Sequence, residues 1–318
     1  MAEIGNDISH AAELLLNGKL VAIPTETVYG LAANALDEKA VLSIFEAKQR
    51  PFFDPLIIHV HSAEAAKTYA EFTDDRLIKL AETFWPGPLT LLLPKKDIIP
   101  ALVTSGLDRV AVRVPDHPLT LTLLKKIDLP LAAPSANPFG YVSPTEPEHV
   151  NKQLGDKIAY ILDGGPSAVG LESTIVGIEE GKVCIFRLGG LTLEEIEKIS
   201  GRIELRINNS SDPKAPGQLK NHYAPKKPLY IGSPKELLKQ HAGKKIILIC
   251  FGEEEFSNEK IKILNLSKTK NLDEAALNLF KFLRLADESP AELVICGLLP
   301  AEGLGRAIND RLRRAAAK

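Results

Sequence analysis

The chain has 318 residues, 45% of them hydrophobic and 25% charged, with a formal net charge of −2. That length suits roughly two domains with cores that need no disulfide or metal staple. The near-neutral charge excludes a generic nucleic-acid-coating protein, which is strongly basic, and leaves room for one local basic pocket. No apolar run reaches the ~18 residues of a membrane helix. The first ten residues are acidic and polar, unlike a signal peptide. Cys184, Cys250 and Cys296 sit in apolar runs without a C-x-x-C, as buried thiols of a reducing compartment do. The expected location is cytoplasmic.

Asp7 caps a predicted helix over 8–17, which Gly18 stops. An apolar strand over 20–23 breaks at Pro24 into Thr25, Glu26 and Thr27, and a second strand covers 29–33. Asp37 opens a helix over 38–48 with Val41, Ile44, Phe45 and Lys48 on one face, and Pro51 ends it. A strand over 55–60 carries His59. Helices over 63–69 and 74–84 follow, then strands over 89–93 and 110–114. A helix over 118–126, a strand over 129–133, a loop over 134–147 and a helix over 148–154 come next. Strands are expected over 159–162, 173–178 and 183–188, and Thr192 with Glu195 has the spacing of a capping box for a helix over 193–199. Some connections are too short for parallel crossovers, so the pattern predicts an open, mixed α/β sheet.

From 206 to 228 the periodicity dissolves into a proline-rich polar stretch that reads as a linker. Beyond it lie a strand over 229–231 and a helix with Ser233 as N-cap, Pro234 at its first position and Gly243 as its C′ stop. Strands over 245–250 and 261–264, a helix from Asn271 and Glu274 to 286, a strand over 293–296 and a basic-tailed helix over 303–317 complete the chain. Short parallel strands with crossover helices predict a small Rossmann-like α/β domain. It lacks G-x-G-x-x-G, so nothing marks it as a dinucleotide binder.

Several residues carry chemistry. Lys48 and Arg50 at a helix end either complement the helix carbonyls or clamp a polyphosphate, one as a point charge and the other as a bidentate fork. Arg113, in the middle of the apolar strand V-A-V-R-V-P, must pair with either a structural carboxylate or a bound anion. Arg187 at the end of C-I-F-R carries the same ambiguity. Ser135 and Asn137 follow an apolar strand, where they form either a turn or a ligand contact. Ser143-Pro144-Thr145 alone reads as a helix start. His59 and His61 are a poor metal pair, because no third ligand has matching spacing. No nucleophile triad, P-loop or kinase signature appears.

The segments P-T-E-T-V-Y-G-L, K-Q-R-P, P-L-I-I-H-V, V-A-V-R-V-P-D-H-P, A-P-S-A-N-P-F-G, S-P-T and E-S-T-I-V, then Arg187 and H-Y-A-P at 222–225, occur in this order. Together they resemble the YrdC-type L-threonylcarbamoyl-AMP synthases, in the long form with an extra C-terminal domain. The resemblance is close from Asp7 to about Gly201, and the combination of Lys48 and Arg50 with Ser135 and Asn137 is its specific part. It implies a YrdC-like twisted open mixed sheet over 1–205, a linker over 206–228 that closes over the active site, and the small domain over 229–318. It also implies that L-threonine, bicarbonate and ATP give threonylcarbamoyl-AMP, pyrophosphate and water. A partner transferase then moves the threonylcarbamoyl group to tRNA. Mg²⁺ would come with ATP, without direct protein ligands.

By this resemblance Thr27, His59, Arg113, Ala133 and Ser173 hold threonine, Arg113 taking its carboxylate. Lys48, Arg50, Ser135, Asn137, Ser143 and Arg187 hold ATP, and His222 and Tyr223 close over it. Asp54 and Arg109 also fall on the ATP side, where family members often have Asn and a small hydroxyl residue. Gly177 stands in place of a frequent Asp, and A-P-G-Q at 215–218 in place of S-P-G-M. The other reading of a basic cavity is a non-catalytic RNA-binding or translation-associated factor, which the near-neutral charge disfavours.

Overall fold

The computed structural model describes residues 1–207, 215–217, 222–253 and 259–317. Within them the apolar runs form one mixed sheet of eleven strands and a separate sheet of four. The order across the large sheet is Glu3–Gly5, Tyr160–Leu162, Val21–Ile23, Gly30–Asn34, Leu131–Ala132, Ile57–His59, Arg109–Arg113, Leu89–Pro94, Thr174–Glu179, Lys182–Arg187, Ile203–Leu205. Parallel and antiparallel pairings alternate irregularly across it. The small sheet orders Leu229–Ile231, Leu293–Cys296, Ile246–Cys250 and Ile261–Asn265, all parallel. The mixed sheet and the smaller parallel α/β unit are both as the sequence predicts.

Local signals start the helices where expected. Asp7 accepts from the Ser9 and His10 amides, and Asp37 from those of Lys39 and Ala40. Thr192 and Glu195 form a reciprocal capping box, and Asn271 accepts from the Glu274 amide. Such caps satisfy the amides that a first helical turn leaves without partners.

The structure departs from the sequence reading at several places. Strands Glu3–Gly5 and Ile203–Leu205 and the turn of helix Ala101–Thr104 lack a sequence signal. Helix Ala63–Ala66 is shorter than predicted, its last turn opening into further turns. Ser233 makes no side-chain cap bond, and helix Pro234–Gln240 ends on His241. Gly243, at φ +88°, serves the turn leading into the next strand instead of the helix stop. Residues 208–214 and 218–221 of the linker, including Gln218, lie outside the described residues.

The two sheets share a joint. Helices Leu272–Glu288 and Gly305–Ala316, which follow the linker, pack into the same apolar core as the large sheet. Leu279, Phe280 and Leu283 are fully buried, each contributing roughly 1.5–3 kcal/mol of transfer free energy. The Tyr141 hydroxyl donates to Asp287 at 2.7 Å across the joint. All three cysteines are buried and free. Among the described residues, no helix is long and apolar enough to cross a membrane.

This topology delivers polar residues to one place. Strands Ile57–His59 and Arg109–Arg113 run parallel with His59 opposite Arg113, and Thr90 faces Arg113 from the other side. Ala133 follows Leu131–Ala132, and Ser135 bridges to Gly30. Arg187 ends its strand just past a register shift.

Candidate active site

The strand ends enclose a cavity of about 50 Å³. Thr27, His59, Arg113, Ala133 and Ser173 line it, with Arg50, Ser135, Arg187, His222 and Tyr223. Lys48, Asp54, Arg109, Asn137 and Ser143 do not reach its wall.

Arg113 organises one side. It lies at the C-terminal end of its strand, not in the middle as the sequence reading had it. Its Nε donates to Gly87 O at 3.2 Å and its Nη1 to Thr27 Oγ1 at 2.9 Å. Its Nη2 lies 2.5 Å from Glu26 Oε1. A structural carboxylate is therefore present, yet the guanidinium still faces the cavity. Thr27 Oγ1 is also 2.8 Å from Thr25 Oγ1, whose hydroxyl donates to Val28 O at 2.6 Å. Burial, reinforced by Arg113, pushes the His59 imidazole down to about 3, so it is neutral near pH 7. Its Nδ1 is buried and makes no hydrogen bond to the described residues. Ala133 is pinned through its amide to Ile57 O at 3.0 Å. Ser173 Oγ is 2.7 Å from Thr90 Oγ1 and accepts from Arg187 Nη2 at 3.0 Å.

The other side gathers cations. Lys48 ends helix Glu38–Lys48 and is 1% exposed. Its Nζ donates to Ser135 O and Asn137 O, both at 2.5 Å, so it braces the A-P-S-A-N loop from behind. Burial, with Arg50 nearby, holds its pKa well below the usual lysine range. Gln49 at φ 53° turns the chain, and Arg50 then enters the wall. Arg50 Nη2 pairs with Asp54 at 2.9 Å, while Nε and Nη2 donate to Asp54 O and Pro55 O. Burial raises the Asp54 pKa against the pull of Arg50 and Lys48. Asp54 thus has its cation partner, and that partner is Arg50.

Arg109 lies four strand residues before Arg113, about 13 Å along the strand. Its guanidinium sits 5.2 Å over the Phe186 ring and reaches Ile178 O at 3.4 Å. It neither meets Asp54 nor enters the wall. The Asn137 amide nitrogen donates to Pro138 O and Tyr141 O, which shapes its own loop. Ser143 Oγ donates to Glu172 Oε1 at 2.5 Å. Arg187 Nε and Nη2 donate to Ser173 O at 3.0 and 2.9 Å, and burial brings its pKa down to about 10.

The described linker residues cover the cavity. His222 packs edge-on to Tyr223 and Phe139, with centroids at 4.1 and 5.9 Å. Tyr223 stacks on Phe280 at 5.6 Å, and burial raises its hydroxyl to about 12. Gly217, at φ +78°, lies so close that a Cβ there would stand 3.1 Å from Arg187 and 3.2 Å from the Tyr223 hydroxyl. A side chain there would be strained by the positive φ and would push Arg187 or Tyr223 by a few tenths of an ångström.

Three ion pairs thus surround the cavity: Arg113 with Glu26, Arg50 with Asp54, and Arg311 with Glu172. Among the described residues no carboxylate pairs with Lys48 or Arg187, so Arg187 stands in the wall as a cation without an ion-pair partner. Sequence reasoning missed Glu26, Glu172 and Arg311. Arg311 had a signal: it falls on the apolar stripe of Leu304, Ala307, Ile308, Leu312 and Ala315, where a cation requires a partner.

Comparison with known proteins adds to this geometry. Residues 13–189 match the family described as "Telomere recombination", and residues 191–317 match "Threonylcarbamoyl-AMP synthase, C-terminal domain". The chain is 42% identical to the threonylcarbamoyl-AMP synthase of Pyrococcus abyssi, over 96% of this chain and 92% of that one. It is 39% identical to that of Bacillus subtilis, over 97% and 92%. The crystal structure of P. abyssi Sua5 complexed with L-threonine superposes with a TM-score of 0.91 at 40% identity, covering 99% of this chain and 97% of that one.

Proposed function

This chain belongs to the threonylcarbamoyl-AMP synthase family, and from that premise we propose how its cavity divides the work. It is an adenylyl-transferring enzyme whose product serves tRNA modification. In our reading L-threonine takes the side of Arg113, Thr27, His59, Ala133 and Ser173, and ATP takes the side of Lys48, Arg50, Ser135, Asn137, Ser143 and Arg187. The observation that carries this is the asymmetry of the cavity. Arg113 stands among hydroxyls and a neutral imidazole, while Arg50 and Arg187 line the wall with Ser135, whose loop Lys48 braces. The relative solved with L-threonine supports threonine as a substrate.

Arg113 forks onto the threonine carboxylate, for which planar bidentate geometry suits a guanidinium. Thr25, Thr27 and neutral His59 offer donors and acceptors to the substrate hydroxyl. A site built to bond a hydroxyl rejects the analogue lacking it by as much as ~10⁴-fold. The threonine amine combines with bicarbonate, losing water, to give a carbamate. The carbamate oxygen attacks the α-phosphorus of ATP and pyrophosphate leaves. Arg50 and Arg187 neutralise the triphosphate and hold it in line, with Lys48 bracing the loop beside it. Positioning and charge supply most of the catalysis in such transfers, so no nucleophile is required.

The cavity of about 50 Å³ is far below the roughly 300–1,000 Å³ of small-molecule sites. ATP binding therefore requires the cavity to enlarge. Among the described residues no cluster of His, Cys, Asp and Glu could hold a metal ion. Asp54 and Glu172 are each engaged by an arginine. In our reading Mg²⁺ enters with the triphosphate, whose charge it offsets. The product passes to a separate transferase that acts on tRNA.

Pyrophosphate release by the purified protein tests this reading. Release is expected only when L-threonine, bicarbonate and ATP are all present, and omission of any one should abolish it. Release that ignores threonine or bicarbonate would overturn the assignment of substrates.

A further inference from the structure

Two arginines from the helices beyond the linker grip one residue on the nucleotide side. Arg311, in helix Gly305–Ala316, has a side chain with no solvent exposure. A buried guanidinium is costly unless its donors are satisfied. Its Nε donates to Glu172 Oε2 at 2.8 Å, its Nη2 to Leu188 O at 2.8 Å and its Nη1 to Asp310 at 2.8 Å. Its face lies 4.8 Å from the Tyr223 ring. Glu172 forms part of the cavity wall and takes the Ser143 hydroxyl on its other oxygen at 2.5 Å. Arg284, in helix Leu272–Glu288, donates through Nε to Ser143 O at 3.2 Å and through Nη2 to Val142 O. Ser143 is therefore held by its hydroxyl through Glu172 and by its carbonyl directly.

We propose that the C-terminal domain is a positioning element for the nucleotide. Arg311, acting through Glu172, and Arg284 fix Ser143, so the domain sets affinity for ATP and leaves affinity for threonine to the large sheet. The proposal rests on the reading that Ser143 faces ATP. Two features favour a positioning role over mere domain glue. The Arg311 contact ends on Glu172 in the cavity wall, not on the outer surface of the joint. Arg311 also cancels the charge of Glu172, an anion on the wall of a cavity meant for a triphosphate. Without that cancellation the carboxylate would repel the ligand at short range.

The test uses the full-length chain and steady-state pyrophosphate release, with KM measured separately for ATP and for threonine. Arg311→Met is expected to raise KM for ATP roughly tenfold or more while KM for threonine stays within about threefold, the scale for loss of an outer supporting contact. Adding Glu172→Gln removes the orphaned charge but keeps an acceptor for Ser143, so the double variant should recover much of the ATP affinity. Arg284→Met should move the same parameter in the same direction. If Arg311→Met does not give folded protein, Arg311→Lys keeps the charge but loses the fork, and a smaller rise in KM for ATP is expected.

Folded variants with wild-type KM for ATP would overturn the proposal. So would equal losses for both substrates without suppression by Glu172→Gln, the mark of a structural brace. Ser143→Ala is the control on the underlying reading. If it leaves KM for ATP unchanged, Ser143 does not face the nucleotide, and that failure is visible whatever Arg311 does.

Discussion

The two sides of the cavity differ in how they are assembled. His59, Arg113 and Ala133 stand at or just beyond the ends of strands of one sheet, locked by its register, and Thr27 is held by hydrogen bonds in the loop between two others. The nucleotide side draws on a helix end at Lys48, loops at Ser135 and Ser143, a linker at Tyr223 and two helices beyond it. Strand ends hold a small substrate rigidly, because the ladder allows few alternative placements. A composite wall can open, which ATP demands of a cavity this closed.

That contrast predicts which substrate each substitution affects. The largest effect is expected for Arg113→Ala, which removes the carboxylate fork and leaves Glu26 buried without its cation. Truncating one partner of a buried pair costs about 2–5 kcal/mol. KM for threonine should rise by roughly two to three orders of magnitude, while calorimetric binding of an ATP analogue stays close to wild type. Loss of both affinities together would break the division into two sides.

Next comes Arg50→Ala, which leaves Asp54 buried and unpaired. Chemical denaturation should show a loss of about 3 kcal/mol. Adding Asp54→Asn should restore part of that loss without restoring KM for ATP. Recovery of both would mean that Arg50 acts only as a partner for Asp54.

His59 offers a smaller, pH-dependent effect. Its native pKa is depressed to about 3 from 6.5. Below pH 6.5 the unfolded chain binds a proton that the native imidazole refuses, so stability falls as pH drops toward 3. At pH 5 this amounts to about 2 kcal/mol. His59→Asn should show a correspondingly shallower decline in denaturation series between pH 7 and 5. An unchanged slope would contradict the buried neutral imidazole.

Tyr223→Ala loses the Phe280 stack and the Arg311 contact, worth about 1 kcal/mol. KM for ATP should rise several-fold and KM for threonine much less. The smallest effect is expected for Arg109→Ala. It removes one cation–π contact, about 0.5–1 kcal/mol of stability, and kcat/KM should stay within about threefold. A large loss of activity there would bring Arg109 into the nucleotide side after all.

The sequence exposed the two sides unequally, for physical reasons. Caps such as Asp37 and Thr192 with Glu195 depend on neighbours within four residues, so composition and spacing reveal them. Central strands announce themselves as apolar runs, whereas Glu3–Gly5 and Ile203–Leu205 exist only because distant Tyr160–Leu162 and Lys182–Arg187 offer an edge to pair with. The cations Lys48, Arg50, Arg113 and Arg187 were legible as residues needing partners. Which partner each takes was not, since Glu26 meets Arg113 and Glu172 meets Arg311 across most of the fold. Arg50 with Asp54 is the exception, four residues apart, yet Arg50 was read as part of a phosphate clamp and Asp54 as a departure. Lys48 was expected on the phosphates, and its ammonium donates to the loop that carries Ser135 and Asn137.

A crystal structure with L-threonine and a non-hydrolysable ATP analogue tests the central claim most directly. The account predicts the threonine carboxylate on Arg113, the triphosphate against Arg50 and Arg187 near the loop that Lys48 braces, and the segment bearing Tyr223 moved from its seat on Phe280. A triphosphate on Arg113, or threonine among Lys48, Arg50 and Arg187, would contradict it.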